Sequence, residues 1–400
     1  MKRLLLIVIV NIAVFCTLIV LAEVAGQTYY YVTHGRFIFQ NHVSAYHFDV
    51  DDPPQYTYNS MFELHPLLAV RPRKNVRIKN YMDDKVITTT DRYTRWTGAP
   101  EDDSKLIRVA ISGGSTAFGT GVTDSDSWPA LLQAKLGDQF SVVNYGVPCY
   151  STAEAIIQMA LTIPEIKPDF IILYHGWNDI ILYHHKDLNP DYYAHGTEVQ
   201  DCVQVPSLRE KTLFEKLNEL SAVVRLASRI NVLASGIKLK LFGPSAIQTG
   251  ETEDCSKFDT PDPAVDRLYV RNLQTLKLLS EHAAPYTLFV PQILNYRWFS
   301  EEEGTKTYNN CWNKIKDTAM PRLMDRFNML VKSVCPGGDP KCIFVDGVLK
   351  VEWEPDDFVD DGHFSRKGGE KFADVLSRII LSKVKERKLG KESTHDIAPN

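Results

Sequence analysis

From residue 105 onward, short apolar runs alternate with longer stretches of helical periodicity. The strand candidates are Leu106–Ile111, Phe140–Asn144, Phe170–Tyr174, Thr287–Val290 and Ile343–Val345. Between them the 3.6-residue repeat predicts helices over Ser127–Leu136, Ala153–Ile163, Asp266–Ala283 and Asp317–Val334, with a last one over Lys367–Glu386. Strands apolar at successive positions are buried on both faces, and strands alternating with helices make a parallel sheet covered on both sides. The pattern predicts a doubly wound, three-layer α/β/α domain over 105–387. Residues 184–262 interrupt it with a polar start at His184, His185, Lys186 and Asp187, and with Leu213, Leu217, Leu220, Val224, Ala227 and Ile230 at helical spacing. Such a stripe reads first as packing, with a lid or a membrane-facing helix as alternatives. The adjacent His184 and His185 read as a solvated pair rather than a metal site. Residues 27–104, rich in Tyr, Pro and Asp, form an N-terminal extension with β-prone pieces at Gln27–Val32 and Lys85–Thr90. Residues 388–400 are polar and read as a flexible tail.

The longest apolar run lies at the start. Lys2 and Arg3 precede an uncharged stretch from Leu4 to Ala22, nineteen residues that as a helix span roughly 28 Å, close to the ~30 Å hydrocarbon core of a bilayer. A signal peptide has an apolar stretch of about 7–15 residues, so the run reads as a transmembrane anchor in 1–26, with a cleaved signal as the alternative. The positive flank places everything beyond Glu23 outside the cytoplasm, in the periplasm or at the cell surface. Six of the seven cysteines then lie in an oxidising space. Cys335 and Cys342 flank the turn-rich Pro-Gly-Gly-Asp-Pro-Lys and make the best disulfide pair; Cys202 with Cys255 is a weaker one. No Asn-x-Ser/Thr sequon occurs, which favours a bacterial protein.

Composition narrows the function. The formal charge is −5, with no basic run, so binding to nucleic acid through phosphate neutralisation is excluded. Apolar residues at 44% and charged ones at 24% exclude both a wholly disordered chain and a multi-span membrane protein.

In an open α/β sheet the reactive groups collect at the carboxyl ends of the strands. The first run leads into Ser112-Gly113-Gly114-Ser115-Thr116-Ala117-Phe118-Gly119, where two glycines let the chain turn from strand to helix and present the Ser115 hydroxyl and N–H. It lacks the Gly-Lys-Ser/Thr of a Walker loop and the final glycine of a Gly-x-Ser-x-Gly elbow. The second run ends in Asn144-Tyr145-Gly146-Val147-Pro148-Cys149-Tyr150-Ser151, where Gly146 offers an unobstructed N–H. The third ends in Tyr174-His175-Gly176-Trp177-Asn178-Asp179, where the Asn178 amide can donate without titrating. Near the C-terminus, Phe358-Val359-Asp360-Asp361-Gly362-His363-Phe364-Ser365 places a carboxylate three residues before an imidazole, close enough to orient it. Asp361 is an alternative orienter.

The set Gly113-Gly114-Ser115-Thr116, Gly146, Gly176-x-Asn178-Asp179 and Asp360-x-x-His363 resembles the blocks of the SGNH (GDSL-type) hydrolases, membrane-anchored bacterial subset. The resemblance covers about 105–385, and Glu63-Leu64-His65-Pro66 with Ile87-Thr88-Thr89-Thr90 look like that subset's pre-domain segment. It implies a flavodoxin-like sheet, Ser115 as nucleophile, His363 as base and Asp360 as its orienter. The oxyanion donors it implies are the Ser115 and Gly146 N–H groups and the Asn178 amide, with no metal and no cofactor. Gly114 stands where the name-giving motif has Asp, and Cys149 where relatives of the subset have Gly. The activity implied is hydrolysis of a carboxylic ester, an O-acetyl or acyl group of a glycan or lipid. An O-acyltransferase with the same residues and a non-catalytic membrane-tethered scaffold are the rivals.

Overall fold

The structure is a computed structural model that describes residues 2–34, 37–38, 61–65, 67–81, 85–102, 104–184, 217, 221–224, 226, 260–299, 315 and 319–395. The chain forms two compact units, one of 1–52 with 207–252 and one of 53–206 with 253–400. The extension is thus divided at Asp52, and much of the 184–262 interruption groups with the N-terminus.

In the first unit a single helix, α1, runs over Lys2–His34. Its stretch Leu5–Thr33 is long and apolar enough to cross a membrane; residues 5–22 stand exposed, whereas Gln27 and Tyr30 further along are buried. Gln27–Val32, expected to be β-prone, is helical because it continues a helix already nucleated by the apolar run. The Glu23 carboxylate accepts bonds from Ser221 Oγ (2.6 Å) and from the N–H groups of Ala222 (2.8 Å) and Val223 (3.0 Å). A carboxylate thereby satisfies the free N–H groups that open a helical turn at 222–224.

The second unit begins with two antiparallel hairpins, β1 (Phe62–His65) with β2 (Ala69–Pro72), and β3 (Arg77–Tyr81) with β4 (Lys85–Thr88). Five parallel strands follow: β5 (Ile107–Gly113), β6 (Phe140–Asn144), β7 (Phe170–Tyr174), β8 (Tyr286–Phe289) and β9 (Cys342–Phe344). Their order in the sheet is β6-β5-β7-β8-β9. Counted from the first sheet strand this is 2-1-3-4-5, the flavodoxin-like order. Side chains alternate between two cores. Ala110, Ile171 and Leu173 enter one, under α4 (Thr152–Leu161), α6 (Pro263–Ala283) and α7 (Met320–Val334). Val109, Ile111, Phe170 and Ile172 enter the other, under α3 (Trp128–Leu136) and α8 (Arg366–His395). Two short helices, α2 (Ser115–Phe118) and α5 (Trp177–Tyr183), leave the ends of β5 and β7. Helix α8 runs on to His395, so 388–395 is helix rather than the tail the polar composition suggests.

Cys335 and Cys342 are disulfide-bonded, with Cα atoms 5.6 Å apart. Cys149 is disulfide-bonded as well. The Cys202–Cys255 pairing, His185 and the stripe positions Leu213, Leu220, Ala227 and Ile230 lie outside the described residues. His184 is not solvated: it is buried beside the Phe327 ring, and its Nδ1 bonds the Ile180 carbonyl at 2.7 Å. Burial, the largest influence, lowers its pKa.

Candidate active site

The strand order reverses between β5 and its two neighbours β6 and β7, and loops that leave such a switch point in opposite directions open a crevice at the carboxyl ends. Ser115 opens α2 at the end of β5, and Asn178 lies in the first turn of α5 at the end of β7. Gly114 makes their approach possible. A Cβ at 114 would stand 2.5 Å from Asn178 Nδ2 and 3.1 Å from the Tyr150 carbonyl oxygen. The Asn178 amide donates to that carbonyl at 2.8 Å, which fixes its nitrogen toward the β5 end. One N–H of the amide remains beyond that bond.

Helix α2 has only four residues, so its carbonyls need outside donors. The Ser115 carbonyl accepts from the Gly119 N–H at 2.9 Å, and that of Thr116 from Trp128 Nε1 at 2.9 Å. The Ala117 carbonyl accepts from Asn144 Nδ2 at 3.0 Å, and that of Phe118 from an Arg95 guanidinium nitrogen at 2.7 Å. The helix that presents Ser115 is therefore held by side chains from three other segments.

Gly146 departs from the expectation that its N–H faces a substrate oxygen. That N–H donates to Asn144 Oδ1 at 2.9 Å, and a Cβ at 146 would lie 2.6 Å from the Phe118 nitrogen. The glycine is needed where α2 packs on this loop, and the bond to Asn144 commits its donor. In the same loop Cys149 has φ 69°, in the left-handed region that favours glycine.

The histidine turn is anchored by aromatic rings on both sides. Phe358 and Phe364 pair across it with ring centroids 5.4 Å apart, and Phe364 packs on Phe372 at 4.9 Å, within the core beneath. The Val359 N–H donates to the His363 carbonyl at 2.8 Å. Within the turn, Asp360 Oδ1 accepts from the N–H groups of Gly362 (3.0 Å) and His363 (2.7 Å), and Asp360 Oδ2 lies 2.7 Å from His363 Nδ1. Of the two carboxylates expected as orienters, it is Asp360 whose oxygen meets the ring nitrogen. His363 Nε2 is buried and has no hydrogen-bond partner among the described residues, so the bond to Ser115 Oγ is not formed here.

Several contacts bring the turn to the Ser115 end of the sheet. A Cβ at Gly121 would be 2.7 Å from Val359 Cγ2, and one at Gly362 would be 3.3 Å from the Trp177 ring. The segment after β8 ties both sides: Gln292 Nε2 donates to Thr116 Oγ1 at 3.3 Å, and Asn295 Nδ2 donates to the Asp360 carbonyl at 3.1 Å.

Burial pulls the His363 pKa down, but the hydrogen bond and charge of Asp360, with the charge of Asp361, outweigh it and leave it raised. Burial pushes the Asp360 carboxyl up, and the hydrogen bond and charge of His363 with the N–H groups of 362 and 363 outweigh that, leaving it lowered. Asp361 is pushed up to about 7, by burial first and then by the Asp360 charge. Asp360, Asp361 and His363 could in principle ligate one metal ion, yet Asp360 and His363 are already bonded to each other.

Beneath the site lies a polar network the sequence reading missed. Asp179, wholly buried, accepts from the Thr152 N–H (2.9 Å) and Thr152 Oγ1 (2.5 Å), joining the first turns of α5 and α4. Asn272 donates to Thr152 Oγ1 and to the Tyr183 hydroxyl, both at 3.0 Å. Burial pushes Asp179 up to about 7. Polar residues within apolar helical faces, such as Asn272, were the available signal.

No family profile matches the chain, and no curated protein matches it. Solved structures do. TesA is 13% identical over 67% of this chain and 95% of TesA, with a TM-score of 0.37. A lipase/acylhydrolase from Enterococcus faecalis is 13% identical over 70% and 97%, with a TM-score of 0.38. A catalytic mutant of Axe2, an acetylxylan esterase from Geobacillus stearothermophilus, is 14% identical over 72% and 96%, with a TM-score of 0.34.

Proposed function

We propose that the chain is an SGNH-type serine hydrolase of carboxylic esters, with Ser115 as nucleophile, His363 as general base and Asp360 as the group that orients it. The observation that carries this is the Asp360–His363 pair. With Nδ1–H held by the carboxylate at 2.7 Å, a neutral imidazole keeps its lone pair on Nε2, which is buried and unbonded at the rim where Ser115 stands. Ser115 Oγ attacks the ester carbonyl carbon and gives its proton to Nε2. The tetrahedral oxyanion is held by the Ser115 N–H and the Asn178 amide, in place of the three donors first expected, because the Gly146 N–H serves Asn144. Collapse breaks the bond to the alcohol oxygen, which takes the proton back from His363. Water, deprotonated by the same nitrogen, then attacks the acyl carbon; the acyl–Oγ bond breaks, the acid leaves, and Ser115 Oγ takes the proton back from His363.

The substrate we assign is an O-acetyl or acyl ester of a glycan or lipid. An uncleaved N-terminal anchor with the hydrolase outside the cytoplasm is supported by the apolar α1 and by the Cys335–Cys342 disulfide. An O-acyltransferase would use the same residues, with a sugar hydroxyl in place of water. A non-catalytic scaffold is favoured by the committed Gly146 N–H and by a cysteine at position 149. A fluorophosphonate probe decides between scaffold and hydrolase. Labelling of the wild type that is lost in both Ser115→Ala and His363→Ala is expected, and a folded wild type that takes no label overturns the enzymatic reading.

A further inference from the structure

Arg95 belongs to the N-terminal extension, before the first strand of the sheet, yet it is 1% exposed. A guanidinium that deep must have its donors matched, since an uncompensated buried charge is costly. Its partners are carbonyls at the exit of α2. One terminal nitrogen donates to the Phe118 and Gly119 oxygens at 2.7 and 2.5 Å, the other to the Val122 oxygen at 2.7 Å, and Nε lies 3.3 Å from Asp124 Oδ1. The plane also sits 5.0 Å from the Phe118 ring centroid. Its backbone N–H donates to the Asn144 carbonyl at 3.2 Å, and Asn144 in turn serves the Ala117 carbonyl and the Gly146 N–H. The same extension reaches 123–124 again, through Val86 N–H to Thr123 Oγ1 at 3.1 Å and Thr88 N–H to Asp124 Oδ1 at 3.1 Å.

We propose that Arg95 is a positioning residue for the nucleophile: its guanidinium clamps the chain from Phe118 to Asp124 and so fixes the direction in which the four-residue helix presents Ser115. The inference rests on the proposed function for the role of Ser115; the clamp itself rests only on the contacts above. A four-residue helix cannot hold its own shape, and the guanidinium presents its donors from three separate nitrogens in one rigid plane, whereas a lysine ammonium gathers three rotatable donors about a single atom. The extension is then part of the catalytic machinery's support and not an independent appendage.

The test uses the full chain in detergent, with Arg95→Lys measured by hydrogen exchange and by fluorophosphonate labelling. Amides of 115–124 are expected to exchange about tenfold faster or more, as for the loss of one charge-assisted hydrogen bond, while amides of β7 and β8 keep their wild-type rates. The maximal labelling rate is expected to fall about 100-fold, the effect of a displacement near 1 Å, with the half-saturating probe concentration unchanged. Should Arg95→Lys fail to fold, Asp124→Asn, which removes the charge facing Nε, is expected to speed exchange at the same amides. Unchanged exchange at 115–124 in a folded variant, or a rise spread evenly over the sheet, overturns the clamp. A wild type that takes no label counts against the hydrolase reading alone, and exchange still decides the clamp.

Discussion

Gly114→Ala isolates the contribution of the Asn178 amide without touching a proposed catalytic group. The backbone at 114 has φ −86° and ψ −150°, which alanine adopts, so the new methyl acts by volume alone. It would stand 2.5 Å from Asn178 Nδ2, where ordinary contact begins near 3.4 Å, so the amide must retreat by about 0.9 Å. It meets the Tyr150 oxygen at 3.1 Å too, so the amide loses its orienting bond as it moves. Overpacking of this kind costs about 1–3 kcal/mol of stability. The larger effect falls on the barrier: loss of one oxyanion donor is worth about 2.7–4 kcal/mol, or about 100- to 1000-fold in kcat. The assay is kcat and KM on p-nitrophenyl acetate for the wild type, Gly114→Ala, Asn178→Ala and the double variant, with thermal midpoints to confirm folding. Both single variants should fall by similar factors with little change in KM. The double should be no slower than Asn178→Ala, because the methyl has no amide left to displace. A Gly114→Ala enzyme with wild-type kcat, or a double variant in which the two losses multiply, would refute the assignment of Asn178.

The rate should rise with pH through the His363 pKa, which lies above the ordinary imidazole value because Asp360 outweighs burial. Asp360→Asn removes that support, so the acid limb should move to lower pH while the maximal rate falls on the order of 10³- to 10⁴-fold; a limb that stays in place excludes His363 as the base. Asp179, with a folded pKa of about 7 against an ordinary 3.8, holds its proton more tightly in the folded state, so the stability it contributes is full below 3.8 and lost as pH rises toward 7. In Asp179→Asn the decline in urea midpoint from pH 5 to 8 should therefore shrink, by up to about 1.4 kcal/mol per pH unit over which Asp179 titrates; an unchanged slope would show that Asp179 is ionised in the fold. Replacing both Cys335 and Cys342 by Ser opens a loop of sequence separation 7 and should cost about 2–3 kcal/mol of stability; equal denaturation midpoints would show that the bridge contributes nothing.

Local chemistry made much of this protein readable in advance. The sheet strands were visible because continuous apolar runs such as Phe170–Tyr174 are stable only when both faces are covered. The Asp360–His363 pair was visible because a three-residue turn brings its ends together whatever surrounds it. The apolar α1 was visible for a similar reason, since length and composition alone define a helix able to span a bilayer. What the sequence could not disclose depends on which distant groups meet. Asp179 became the buried link between α4 and α5, and Arg95 left a polar stretch to serve carbonyls of 118, 119 and 122. Hydrogen bonds between residues far apart in the chain leave no periodicity behind, because each asks only for one donor and one acceptor at the right point in space. Those points exist only once the sheet has brought its strand ends to a common rim.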